Sequence, residues 1–282
     1  MISINYLKPS LLVIAAVSLV FTSAAYSEHH EEGEKKMAAE SGAICEGYAG
    51  QTPRDIDSKT GTNPVVFELA PPASEMNLCN IHFHSNAEHK AEAFSIYAGD
   101  GKDGYDSGYM CGISENLSEA ELAAPSGDIC KGLQPGDTIE VHWVHTSCDV
   151  NPGPGLGSCL SDACANPDLR VETQVFTLVN DSDALDFDDL SYDGNQVNGF
   201  HQAKSIPTDM GLPVEFMGST TGPSYNEQAC SPLQVTWSVR PQCAKLDINT
   251  IGKCCESNVF EEDHAHAVRA LVTDERLLAP IE

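Results

Sequence analysis

Apolar and polar residues alternate along short runs through most of this chain, and these runs are bounded by Gly, Pro, Asn or Asp. That pattern is the signature of half-buried strands rather than helices. Six strands are predicted, over Val65–Leu69, Leu78–His84, Phe94–Ala98, Thr138–His145, Val171–Val179 and Leu233–Val239. Helical signals are few. Ser118–Ala124 carries a Ser-x-x-Glu capping box at Ser118 and Glu121, and Glu261–Leu278 near the end reads as a second helix. Asn180–Ser205 is an acidic loop; its aspartates fit no calcium-loop spacing and read as solvated charge. No internal repeat is visible, and the length from Cys45 to Glu282 suits one large, mainly β domain.

The first residues follow different rules. Met1–Ser27 carries Lys8, an apolar run from Leu11 to Phe21, and small residues at Ala25 and Ser27, as a secretory signal peptide does. The apolar run is shorter than the roughly 20 residues that span a bilayer, so no stable membrane insertion is expected. Residues 28–44 (EHHEEGEKKMAAESGAI) read as a flexible charged leader, which places the mature domain at 45–282 and the protein in the periplasm or outside the cell. The net charge of −27 excludes nucleic acid as a partner, because Lys and Arg are too few to neutralise phosphates.

Eleven cysteines fit an oxidising compartment and a set of disulfides, with one thiol left over by parity. Cys159 and Cys164 fall in a loop rich in Gly and Pro, where a local bridge would staple the excursion. Adjacent Cys254 and Cys255 are expected to reach different partners. There is no CxxC pair, which argues against a cysteine zinc knuckle.

The chemistry concentrates in two segments, Asn80-Ile81-His82-Phe83-His84 and Glu140-Val141-His142-Trp143-Val144-His145. Alternation puts Asn80, His82 and His84 on one strand face, and Glu140, His142 and Val144 on one face of the other strand. Three neutral imidazoles on a divalent ion leave an open fourth position, the arrangement of a catalytic rather than a structural zinc site. His145 points to the opposite face and reads as a packing residue. His264-Ala265-His266, on the predicted terminal helix, reads as surface.

Read in order, His82-x-His84, Glu88-His89, Glu140-x-His142-Trp143-x-His145, Gly218-Ser219-Thr220-Thr221 and Val235-Thr236-Trp237, preceded by Gln51-Thr52-Pro53-Arg54-Asp55-Ile56, resemble the landmarks of α-class carbonic anhydrases. The string from Cys79 to Lys90 is similar to the δ-class more closely still. The resemblance implies an α-carbonic-anhydrase-like single domain with a central twisted, mostly antiparallel sheet and peripheral helices and loops. It implies reversible hydration of carbon dioxide to bicarbonate and a proton by a zinc-bound hydroxide, with cobalt or cadmium as possible substitutes for zinc. His82, His84 and His142 match the metal ligands, Asn80 the amide that bonds the first ligand, and Glu140 the carboxylate that bonds the third. Glu88 and Thr220 match a catalytic pair in which the threonine hydroxyl donates to the carboxylate and its lone pair accepts the proton of the nucleophile. Thr221 is expected at the bicarbonate position, with Val144, Val235 and Trp237 as the apolar wall for carbon dioxide. Cys45 to Cys230 is the disulfide that the resemblance implies. It identifies no proton shuttle; His89, His145 and His201 are the candidates considered from the sequence.

Two other classes compete. His82-x-His84-x-x-x-Glu88 with downstream His142 also fits a cupin, which makes Glu88 a fourth metal ligand and predicts iron or manganese. A non-enzymatic periplasmic metal-binding protein would need neither Glu140 nor Thr220.

Overall fold

The computed structural model describes residues 44–101, 105, 107–125, 127 and 129–282, so the expected signal peptide and nearly all of the expected leader lie outside the described residues. Among the described residues the strands are β1 (Asn77–Ser85), β2 (Ile96–Tyr97), β3 (Tyr109–Met110), β4 (Thr138–Thr146), β5 (Leu169–Val179), β6 (Gln196–Val197), β7 (Phe200–His201), β8 (Val214–Ser219) and β9 (Gln234–Asp247), followed by a helix, α1 (Ile248–Glu256). Five strands form the central sheet in the order β1-β4-β5-β9-β8. All its pairings are antiparallel except β5 with β9. Short 3-10 turns and loops surround the sheet, giving the mainly β, mostly antiparallel architecture that the resemblance implied.

Period-2 alternation sorts the sheet's side chains into two cores. Ile81 and Phe83 of β1 join Val141 and Trp143 of β4, Phe176 and Leu178 of β5, and Ile248 and Ile251 of α1 on one face. Val144, Val171, Val235 and Trp237 join a second cluster on the other face. His82 and His84 of β1 and His142 of β4 share that second face, so the site has an apolar neighbourhood built into the same strands.

Several predicted elements come out differently. Val65–Leu69 forms no strand: it runs extended, with Phe67 N–H on Met217 Sδ at 3.3 Å and Ala70 N–H on Thr236 Oγ1 at 2.8 Å. Pro71 and Pro72 follow and have no donors for a ladder. Phe94–Ala98 contributes only the two residues of β2. The Leu233–Val239 strand extends to Asp247, and β8 was not anticipated. Ser118 and Glu121 do make the capping box, at 2.8 and 3.3 Å, but the helix stops after one turn before Pro125.

Glu261–Leu278 is not a helix. Ser85 N–H donates to His266 C=O at 2.7 Å and His266 N–H to Phe83 C=O at 2.9 Å, so this segment lies extended along the open edge of β1. An unpaired strand edge offers a row of backbone partners, and here it overrides local helical preference. Among the described residues the α-helix that does form, α1, is short and poor in strong helix formers. It starts where Asp247 accepts from Asn249 N–H at 3.1 Å and it buries Ile248 and Ile251.

Five disulfides cross-link the fold: Cys79–Cys159 and Cys111–Cys243 tie loops to β1 and β9, Cys130–Cys255 ties a loop to α1, and Cys45–Cys230 and Cys148–Cys164 join loops to one another. The local Cys159–Cys164 bridge is therefore wrong: the loop folds back so that Cys159 reaches β1 and Cys164 reaches the end of β4. Of the adjacent pair only Cys255 is bridged, and Cys254 keeps its thiol.

Candidate metal centre

Strand register assembles the site. β1 and β4 pair antiparallel with His82 opposite His142, Asn80 opposite Val144 and His84 opposite Glu140. All six side chains thus project from one face within two residue steps along each strand. Ligand atoms of His82, His84 and His142 lie within 4.8 Å of one another. His82 Nε2 and His142 Nδ1 face each other at 3.2 Å, close to the roughly 3.3 Å edge of a zinc tetrahedron with Zn–N bonds near 2.05 Å.

Each ring is held by the nitrogen it does not offer. Asn80 Oδ1 meets His82 Nδ1 at 2.6 Å, Ala267 C=O meets His84 Nδ1 at 3.3 Å, and Glu140 Oε1 meets His142 Nε2 at 2.8 Å. These acceptors place the N–H on the outer nitrogen and leave a lone pair on the inner one. His84 Nε2 is buried with no partner in the protein. Burial, joined for His82 and His142 by neighbouring imidazoles, pushes the ring pKa values down, His84 to about 4. Rings that are neutral at pH 7, with an orphaned buried nitrogen among them, are what a divalent metal requires. The donor set fits zinc.

Glu140 is the electrostatic centre. It is fully buried, and its oxygens also accept from His89 Nδ1 at 2.7 Å and from the N–H groups of Glu88 and His89 at 2.5 and 3.0 Å. Burial alone would raise its carboxyl, but His89 and His142 outweigh it and hold the group well below the ordinary carboxylate range. Ligand atoms of His89, Glu140 and His142 also lie within 4.8 Å of one another, yet their short contacts make them a hydrogen-bonded relay that shares the third ligand. His89 is fully buried in that relay and is therefore not a route to solvent.

In front of the rings is a cavity of about 100 Å³ lined by His82, His142, Val144, Leu156, Leu169, Val171, Thr220, Thr221, Val235 and Trp237. The expected wall residues Val144, Val235 and Trp237 and both threonines meet there. Leu156, Leu169 and Val171 complete the wall without having been singled out from sequence. Gly218 in β8 permits this: a methyl group there would collide with Thr52 Oγ1 and come within 2.5 Å of Trp237 Cδ1. Trp237 Nε1–H instead donates to Ser219 C=O at 3.0 Å, fixing the indole.

Two expectations for the site fail. Thr220 does not donate to Glu88; its Oγ1 pairs with Ser231 Oγ at 2.6 Å. Glu88 Oε1 accepts from Arg269 N–H at 3.2 Å while Oε2 is buried without a partner, and burial raises the carboxyl's pKa. Glu88 also stays outside the imidazole cluster, which removes the cupin ligand set. His266, expected on a helical surface, sits extended against β1 with its ring 6.1 Å from that of His82 and its Nε2 on Glu262 at 2.7 Å. His145 is buried with Nδ1 donating to Trp143 C=O at 3.0 Å, as a packing residue does. His201 is tied to Tyr192 at 2.8 Å.

Among the described residues no helix is long and apolar enough to cross a membrane. No curated protein matches the chain. A solved structure, the Photobacterium profundum alpha-carbonic anhydrase, aligns over 89% of this chain and 94% of its own at 17% identity, with a TM-score of 0.29. The family model described as Delta carbonic anhydrase matches residues 73–250, a span that holds all three imidazoles, Glu140, both threonines and the whole central sheet. With more than half of the sequence inside that match, this chain belongs to the delta carbonic anhydrase family.

Proposed function

We propose that this protein catalyses the reversible hydration of carbon dioxide to bicarbonate and a proton, with zinc held by His82, His84 and His142. The observation that carries the reading is a cluster of three neutral, outwardly braced imidazoles, two of which, His82 and His142, line a small cavity that is apolar on most sides. Bound there, zinc would lower the pKa of a coordinated water to about 7 and so supply hydroxide at neutral pH. Cobalt or cadmium can replace zinc, since three imidazoles discriminate poorly among them.

The chain's own residues divide the remaining work. Asn80 and Glu140 orient His82 and His142, and Ala267 C=O orients His84. Val144, Val171, Val235 and Trp237 exclude water and offer an apolar resting face to carbon dioxide. Thr220 and Thr221 form the polar end, where the oxygens of bicarbonate find hydroxyl partners. Glu88 contributes through its backbone, whose N–H holds Glu140, and through its hold on Arg269 N–H.

Residues 45–282 are assigned as the catalytic domain, preceded by the signal peptide 1–27 and the leader 28–44, and the protein as periplasmic or secreted. Five disulfides support an oxidising compartment. The test is stopped-flow hydration of dissolved carbon dioxide by the zinc-loaded mature protein. Hydration well above the buffer rate, suppressed by a sulfonamide and abolished in His142→Ala, is expected; a zinc-loaded protein with no hydration activity refutes the function.

A further inference from the structure

Thr220 is braced by an alcohol where a carboxylate was expected, and this changes what it can do. An ionised carboxylate only accepts, so a threonine beside it must donate inward and can present only a lone pair to the cavity. Ser231 imposes no such direction. Its Oγ already accepts from Leu233 N–H at 3.2 Å, and Ser231 is 2% exposed. Among the described residues, Thr220 Oγ1 is the one acceptor that pairs with its hydroxyl. A buried hydroxyl hydrogen left without an acceptor is costly, so Ser231 donates to Thr220. The half-buried Thr220 then keeps its own hydrogen for whatever occupies the cavity.

The seat of Ser231 is firm. Gln51 Oε1 accepts from Ser231 N–H at 2.9 Å while Gln51 Nε2 donates to Ser231 C=O at 3.1 Å and Ala49 C=O at 2.9 Å. Cys230, next in sequence, is bridged to Cys45.

We propose that Ser231 is a positioning residue that turns Thr220 into a hydrogen-bond donor toward the cavity, so that this site accepts small oxyanions that carry no proton. The proposal rests on the functional reading only for the identity of the physiological anion, bicarbonate. A lone-pair-only threonine would discriminate against nitrate, which has bicarbonate's planar three-oxygen frame but no O–H to donate.

The test combines a crystal structure with anion titration of the zinc-loaded protein by calorimetry, using nitrate and bicarbonate on wild type, Ser231→Ala, Thr220→Val and Thr220→Ser. Nitrate is expected to bind wild type within about tenfold of bicarbonate. Nitrate should bind about tenfold more weakly to Thr220→Val and to Ser231→Ala, at unchanged zinc affinity, and recover in Thr220→Ser. Nitrate affinity indifferent to both hydroxyl deletions, or crystals with Thr220 Oγ1 on Glu88, would overturn the proposal. If Ser231→Ala fails to fold, Thr220→Val and the wild-type crystal decide alone. Failure of carbon dioxide hydration with these anion effects intact would sink the function and leave the positioning role standing. Should zinc not bind, the function falls, and the partner of Thr220 in the crystal still decides this proposal.

Discussion

Replacing Glu140 by glutamine keeps the shape of the side chain and removes its charge, which isolates what that charge does. Four donors converge on the carboxylate: His142 Nε2–H, His89 Nδ1–H and the N–H groups of Glu88 and His89. The amide oxygen of glutamine can serve the two on one side, while its NH2 faces the two on the other. Two buried donors left unsatisfied at about 1–3 kcal/mol each predict a loss of about 2–6 kcal/mol in folding stability. His142 also loses the charge that makes its metal-facing nitrogen a better donor, and removal of such a partner typically weakens metal binding about 10–100-fold. Zinc affinity by competition with a chromophoric chelator, and urea unfolding of the zinc-free protein, measure the two effects separately. Affinity within twofold of wild type in a folded Glu140→Gln protein refutes the assignment of Glu140 as the brace of the third ligand.

His145, pushed down to about 4 by burial, is neutral in the folded state and protonated in the unfolded state between there and 6.5. The unfolded chain binds more protons in that window, so stability falls as pH drops from 6.5 toward 4, by about 3 kcal/mol in all. Urea unfolding of zinc-free His145→Gln should show a correspondingly shallower acid loss than wild type, and parallel curves would contradict the burial argument. Gly218→Ala is expected to destabilise the fold and shift Trp237 fluorescence, since the added methyl meets Thr52 and the indole; unchanged melting and emission would show that the contact relaxes freely. Cys254, its thiol pushed up to about 12 chiefly by burial, should react with a disulfide reagent at pH 8 about a thousandfold more slowly than an exposed cysteine. A single thiol should titrate rapidly only after unfolding.

Sequence alone carried the ligand strands and the ring triad, because strand alternation is a local property that any register of β1 against β4 must respect. Asn80 and Glu140 were legible for the same reason, each standing two residues before a ligand on its own strand. The apolar wall was half legible: Val144, Val235 and Trp237 follow from motif positions, whereas Leu156 and Leu169 come from a loop and a strand start with no pattern that marks them. Helix prediction failed at Glu261–Leu278 because residues far away in sequence, on the edge of β1, offered that backbone better partners than its own turns.

What the sequence determined was therefore the chemistry available on each strand, fixed by a two-residue period over about ten residues. Tertiary structure decided which side chains answer one another across long chain separations. Thr220 turned to Ser231 rather than Glu88, Glu88 took the backbone of Arg269, and Cys159 crossed to Cys79 rather than to nearby Cys164. Hydrogen bonds and disulfides depend on ångström-scale approach between segments, and no local pattern of polar and apolar residues encodes that distance.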